Sequence, residues 1–294
     1  PYLSADTPTE WIRDWSKVTW DYLMKILQSP DADEAGVSLK SGTVLYKEKP
    51  KEELCWQDIV FNLKPLSQRE MDTLFPGFGY GIHLTVVFCM CLKYLPWLLQ
   101  RYEALGGKTC RMTLASLIEI ADDYDVIVAC PGIGARKLLN DEQVYPIRGQ
   151  LVTMTNPGLT IKYIDTEKPD GRTDAYILPS PSGEYLYLGG TAQVNDWNES
   201  SDPDDVKGII ERCSKLIPSL KNAKVVGTWA GLRPGRSSIR LEKEDKVIGG
   251  RMKKVVYNYG HGGSGVTLHW GCALQATELV RQSIQELQLA FSKL

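Results

Sequence analysis

Val255-Val256-Tyr257-Asn258-Tyr259-Gly260-His261-Gly262-Gly263-Ser264-Gly265-Val266-Thr267 decides the fold of this 294-residue chain. A β-branched run ends in four glycines within six residues, and a helical pattern then runs from about Val266 to Leu289. A strand, a glycine turn and a helix in that order leave backbone N–H groups free at the positive end of a helix, where an anion or an electron-rich ligand edge can sit. Glycine suits the turn because a side chain would hold the ligand off the backbone. A plain connection between strand and helix is the alternative reading of the same residues.

Working outward, Val126-Ile127-Val128-Ala129-Cys130 runs straight into Pro131-Gly132-Ile133-Gly134, the pattern of a parallel strand whose end faces a ligand. Thr109–Met112 reads as a further strand, Ser116–Asp123 as a short acidic helix and Tyr94–Leu105 as an amphipathic helix ended by Gly106-Gly107. Thr7-Pro8-Thr9-Glu10 reads as a capping box ahead of a helix whose Trp11, Trp15, Val18, Tyr22 and Ile26 make a core face. Between Tyr145 and Gly235 the character changes to strands and turns, with a hairpin turn at Ser182-Gly183 and one helix near Asp204–Leu216. These elements predict a mixed α/β chain. One domain is Rossmann-like, formed by residues 88–145 and 240–294. It is interleaved with a mostly antiparallel domain formed by residues 1–87 and 146–239.

Composition narrows the function. With 43% apolar and 24% charged residues and a net charge of −2, the chain has no electrostatic footprint for nucleic acid or an anionic membrane. The most apolar stretch, Leu84–Leu99, is interrupted by Lys93 and Pro96. Seven scattered cysteines, several inside apolar runs as Cys130 is, read as buried free thiols, and three histidines are too few to support a metal centre. The chain starts on Pro1, as a processed or truncated product would. It ends on Ser292-Lys293-Leu294, the tripeptide read by the peroxisomal import receptor.

Two side chains stand out chemically. Arg233, in Gly231-Leu232-Arg233-Pro234, sits on a stiff loop, and its two parallel donors match a carboxylate. A surface salt bridge is the commoner fate of an arginine. Tyr176 can turn a hydroxyl toward the same carboxylate, or can simply pack half-buried in a strand. His261 can serve as a general base or can hold the loop by hydrogen bonding. His83 and His269 read as structural residues, and Arg236 and Arg240 as charges on a solvated face. No Ser/His/Asp or Cys/His grouping supports covalent hydrolysis.

Arg148-Gly149-Gln150, Leu188-Gly189-Gly190-Thr191 with Asp196-Trp197, Gly231-Leu232-Arg233-Pro234, and Tyr259-Gly260-His261-Gly262-Gly263 through His269-Trp270-Gly271 follow Pro1-Tyr2-Leu3-Ser4 in this order. In these motifs the whole chain resembles the FAD-dependent D-amino-acid oxidase family, which includes the D-aspartate oxidases. The resemblance implies oxidative deamination of a D-amino acid, with hydride passing from the α-carbon to flavin N5 and dioxygen reoxidising the flavin to yield hydrogen peroxide. It implies that Arg233 and Tyr176 hold the α-carboxylate, and that the Gly263 carbonyl lies near the amine. Gly262, Gly263, Ser264, Gly265, Val266 and Thr267 would hold the flavin, with Leu114, Cys130 and Pro131 on the adenosine side. Catalysis would then be alignment, with no acid or base side chain.

The chain departs from the family in three ways. The G-x-G-x-x-G fingerprint with its strand is absent, Pro131 stands where Thr or Ser is usual, and Thr191 is followed by Ala192 where D-aspartate oxidases carry an arginine. Arg172, four residues before Tyr176, falls where neutral-substrate enzymes carry a lid tyrosine and can serve acidic substrates. Acidic and neutral D-amino acids therefore both stay open, as does a homodimer. The alternatives are a non-catalytic truncated product that holds no FAD, and a glycine- or sarcosine-type flavin amine oxidase.

Overall fold

The computed structural model describes residues 6–158, 163–167 and 173–292. In chain order these form α1 (Thr9–Leu27), β1 (Val37–Tyr46), β2 (Phe61–Pro65), α2 (Gln68–Leu74), β3 (Tyr80–Cys89), α3 (Cys91–Ala104), α4 (Ile118–Ala121), β4 (Val126–Ala129) and α5 (Ala135–Leu138). They continue with β5 (Tyr145–Thr155), β6 (Tyr163–Glu167), β7 (Thr173–Pro179), β8 (Tyr185–Gly189), β9 (Gln193–Val194), α6 (Pro203–Leu216), β10 (Val225–Gly235), β11 (Arg240–Ile248), β12 (Arg251–Tyr259) and α7 (Gly265–Phe291).

The chain divides into two compact units. The first comprises the described residues up to Ala35, Cys91–Tyr145 and those from Pro234 onward; the second comprises Gly36–Met90 and Pro146–Arg233. The first unit carries a three-stranded sheet in the order β11-β12-β4. β12 runs antiparallel to β11 but parallel to β4, with Tyr257 opposite Ala129. Strand alternation sends Val255, Tyr257 and Tyr259 into one core with Leu117, Ile127 and Ala135.

Residues up to Ala35 belong with this first unit, not with the strand-rich one as residues 1–87 were predicted to. The reason is the partner of α1. Trp15 Nε1 donates to Gln275 Oε1 at 2.7 Å, and Gly271 N–H donates to Thr19 Oγ1 at 3.1 Å, both on α7. A Cβ at Gly271 would run into the Trp15 backbone, so the two helices approach closely there. An amphipathic stripe tells that a helix is buried, not against what. The stripe itself is turned slightly from the predicted one: Trp15, Thr19, Leu23 and Ile26 are buried while Trp11 is 47% exposed. Thr7 does not cap α1, whose N-cap is Pro8 without a side-chain bond; its hydroxyl instead accepts from Ile239 N–H at 2.9 Å, ahead of β11. Thr109–Met112 forms no strand, and no described strand pairs with it.

The second unit holds a nine-stranded mixed sheet whose main path is β10-β5-β8-β7-β6-β1-β3-β2, with β9 beside β5. Its pairs are antiparallel at β5–β8, β7–β8, β6–β7 and β1–β3, and parallel at β1–β6. α6 covers one face, where Ile209 and Cys213 pack on Val152, Ile177 and Leu188. Gly183, at φ +76°, makes the predicted hairpin turn between β7 and β8, its N–H donating to Ser180 O at 3.0 Å. Among the described residues all seven cysteines are free. Cys213 and Cys272 are buried as expected, but Cys130 at the end of β4 is exposed.

Candidate active site

In the second unit, Arg233 near the end of β10 and Tyr176 on β7 come together. Arg233 Nη1 donates to Thr191 O at 3.1 Å and reaches Ile147 O at 3.5 Å. Its guanidinium lies flat on the β5 backbone, because a Cβ at Gly149 would overlap the guanidinium carbon and both terminal nitrogens. Among the described residues no carboxylate pairs with Arg233. The guanidinium is thus half-buried, fixed by backbone carbonyls and still able to donate to an anion. Burial pushes the Tyr176 hydroxyl above its ordinary pKa, against the opposing pull of the Arg233 charge. At neutral pH it therefore keeps its proton and can donate beside Arg233. The Tyr176 ring lies where a Cβ of Gly189 would stand, and Cys213 Sγ sits beneath the strand, 3.5 Å from Tyr176 O.

Arg148, two residues before Gln150 in the same motif, has a different task. It is fully buried and donates to Asp205 at 2.6 Å, to Gln193 at 2.8 Å and to the Asn198 and Ser200 carbonyls. Every donor direction is used inside the unit, so this arginine ties the Asp196–Asp205 stretch to β5 and binds no ligand. Gly149 was missed as a site residue by the sequence reasoning, since it acts by having no side chain. Substituting Gly149→Ala is expected to raise the amino-acid KM by about 10- to 100-fold, the worth of one charge-assisted hydrogen bond, while leaving flavin affinity unchanged. Steady-state kinetics alongside a flavin titration checks this. Tyr176→Phe removes one hydrogen bond from a neutral donor to the charged carboxylate, and a KM increase of about 10- to 100-fold is expected in the same assay.

In the first unit the parallel pairing of β4 and β12 puts their carboxyl ends side by side. The turns that follow, Cys130–Gly134 and Gly260–Ser264, therefore share one sheet edge. Gly260 and Gly262 take φ of +86° and +53°, a left-handed backbone that favours glycine. Gly262 N–H donates to Pro234 O at 2.8 Å and Ser264 N–H to His261 O at 3.0 Å, which fixes the turn. α7 then starts with no side-chain cap, so its first-turn N–H groups, which no helix pairs internally, have no capping side-chain acceptor either. Gly263, Val266 and Thr267 are exposed there, and His261 Nε2 is buried with no partner. Uncapped donors and an orphaned ring nitrogen at the end of parallel strands fit a flavin cofactor. Cys130 and Pro131 sit at the neighbouring turn, Pro131 just ahead of the Gly132–Gly134 helical turn. Leu114 lies half-buried in irregular chain before α4 and, among the described residues, shares no strand or hydrogen bond with either turn. Arg172, Lys293 and Leu294 lie outside the described residues; Ser292 is exposed after α7.

Arg236 and Arg240 do not sit on a solvated face. Arg236 Nε donates to Asp141 Oδ2 at 3.0 Å, Tyr259 Oη donates to the same oxygen at 2.8 Å, and Arg240 Nη1 donates to Tyr259 Oη at 2.9 Å. Arg240 also stacks on the Tyr257 ring, 3.8 Å from its centroid. Burial raises the Asp141 carboxyl, but the Tyr259 hydroxyl and the Arg236 charge outweigh it, and its pKa is lowered overall. The network lies directly beneath Gly260, where a Cβ would touch Arg236 at 3.0 Å.

The family model described as FAD dependent oxidoreductase matches residues 10–279, and the chain belongs to this family, that of the D-amino-acid oxidases. It is 35% identical to the D-aspartate oxidase of Homo sapiens over all of this chain and 84% of that protein. It is 38% identical to the D-amino-acid oxidase of Rubrobacter xylanophilus over 92% of this chain and 79% of that protein. Among solved structures, glycine oxidase from Geobacillus kaustophilus superposes with a TM-score of 0.71 at 18% identity, covering 95% of this chain and 81% of that one. That likeness concerns the fold. The predicted mixed α/β fold and the FAD cofactor both stand with the family.

Proposed function

We propose that this chain carries out flavin-dependent oxidative deamination of D-amino acids to 2-oxo acids, ammonia and hydrogen peroxide. The observation that carries the reading is Arg233: a half-buried guanidinium seated on Gly149, held by the Thr191 carbonyl and free of any described carboxylate. Such a group takes the α-carboxylate with two parallel bonds, and the protonated Tyr176 hydroxyl adds a third. Holding the carboxylate fixes the α-carbon and so decides which enantiomer offers its α-hydrogen in the productive direction. The Gly262–Thr267 turn would hold FAD, which would supply a two-electron acceptor that dioxygen can reoxidise. Orientation is the protein's share of the rate, so no acid or base side chain is assigned.

Relatives named for D-aspartate and for D-amino acids generally match comparably well. Arg172 supports the acidic branch, and Ala192 beside Thr191 supports the neutral one. Where Ser292-Lys293-Leu294 form the mature terminus, they would be read by the peroxisomal import receptor, and a peroxisome suits a reaction that releases peroxide. The protein loaded with FAD is tested by measuring 2-oxo acid, ammonia and peroxide from D-Asp, D-Ala and their L-enantiomers. Equal amounts of all three products from at least one D-enantiomer, and none from the L-forms, is the expected result. No turnover of any D-amino acid by the loaded protein would refute the reading.

A further inference from the structure

The chain has three histidines, and two of them are accounted for. His269 Nδ1 lies 2.7 Å from the Val266 carbonyl, which can only accept, so Nδ1 carries the proton and Nε2 accepts from Tyr94 Oη at 2.7 Å. His83 sits in β3 and has a partner. His261 differs from both: its Nε2 is buried and bonds to nothing among the described residues. The backbone that carries the ring is fixed, since Ser264 N–H donates to the His261 carbonyl and Gly262 N–H to Pro234 O. The turn folds back closely enough that a Cβ on Gly265 would lie 3.9 Å from the His261 Cβ, which places His261 beside the start of α7. A buried polar atom without a partner is costly and calls for an explanation, and at the end of parallel strands beside an uncapped helix start a bound ligand supplies one.

We infer that His261 Nε2 completes its hydrogen bonding on the polar edge of the flavin ring, which makes His261 a cofactor-binding residue. The inference rests on the flavin reading above and specifies it further. Burial holds the His261 imidazole well below its ordinary pKa, at about 4, so the ring is neutral at working pH. A neutral imidazole nitrogen either donates or accepts, depending on tautomer, and so matches the alternating carbonyl and N–H groups along the pyrimidine edge of isoalloxazine. A phosphate group only accepts and so suits just one of the two tautomers, whereas the flavin edge suits either.

Fluorescence titration with FAD of the wild-type chain, H261L and H261Q tests the inference, together with thermal melting of each protein without FAD. H261L should bind FAD about tenfold more weakly, the worth of one lost hydrogen bond. H261Q, whose amide reaches to the position of Nε2, should return affinity to within about threefold, and the three FAD-free proteins should melt together. If H261L does not fold, H261F takes its place with the same expected loss. Wild-type affinity in H261L overturns the inference. So does a fall in FAD-free melting temperature that accompanies the weaker binding and that H261Q does not repair. A wild-type chain that binds no FAD brings down the flavin reading itself, and is told apart from these outcomes by the first titration alone.

Discussion

Arg233→Ala is expected to lower kcat/KM for D-amino acids by about 10²- to 10⁴-fold and to leave flavin affinity within about twofold. The range follows from two charge-assisted hydrogen bonds at about 1.5–3 kcal/mol each, with 1.4 kcal/mol per factor of ten. The effect should be this large because the groups that seat the guanidinium cannot stand in for it: Gly149 contributes only room, and Thr191 and Ile147 hold it through their carbonyls. Arg233→Lys keeps the charge but loses the planar pair of donors, so it should recover part of the loss and not all of it. Steady-state kinetics with D-Asp and D-Ala, run beside a flavin titration, measures both quantities. Unchanged kinetics in Arg233→Ala would remove the residue from the account. Loss of flavin with the activity would mean that the variant had damaged more than carboxylate binding.

The second large effect concerns stability. Asp141→Ala should destabilise the protein by about 3–5 kcal/mol, the cost of removing one partner from a buried ion pair. The Asp141 side chain is only 6% exposed and accepts from Arg236, Tyr259 and the Gln143 N–H. Its loss strands the 11%-exposed Arg236 guanidinium directly beneath Gly260. The pH dependence follows from the lowered pKa of Asp141. Because the folded value lies below the unfolded one, the carboxylate's contribution is present above the unfolded carboxylate range of about 3.9. It is lost as pH falls through the folded value. Asp141→Asn should therefore flatten the acid limb of the stability profile. Denaturant unfolding of wild type, Asp141→Ala and Asp141→Asn at neutral and acid pH checks both statements, and equal stabilities at neutral pH would contradict them.

Much of the fold could be read from local pattern. The Val255–Thr267 stretch gave a strand, a turn and a helix in the right places, because β-branched residues and glycines have strong local preferences. The Val126–Cys130 run was likewise legible as a strand, and the parallel pairing to β12 explains why it ends beside the Gly260–Ser264 turn. What escaped was set by contacts distant in sequence. α1 was placed with the wrong unit since its partner, α7, lies some 250 residues away, as the bond from Gly271 to Thr19 makes plain. Arg236 and Arg240 looked solvated because Asp141, which buries them, is about 95 residues earlier in a stretch that reads as an ordinary acidic turn. Gly149 had no local signal, as its role is to leave space for a guanidinium arriving from another strand. Arg233 and Tyr176 were singled out from loop chemistry and family resemblance; their convergence came only with the sheet order.

The most direct measurement is anaerobic mixing of the FAD-loaded protein with a D-amino acid while the flavin's long-wavelength absorbance is followed. Without oxygen, electrons that leave the amino acid must stay on the flavin, so chemistry is seen apart from product release and reoxidation. The absorbance should bleach with D-Asp or D-Ala, stay constant with the L-enantiomers, and bleach far more slowly in Arg233→Ala at the same substrate concentration. A loaded protein whose flavin keeps its colour with every D-amino acid, or bleaches equally with both enantiomers, would contradict the account.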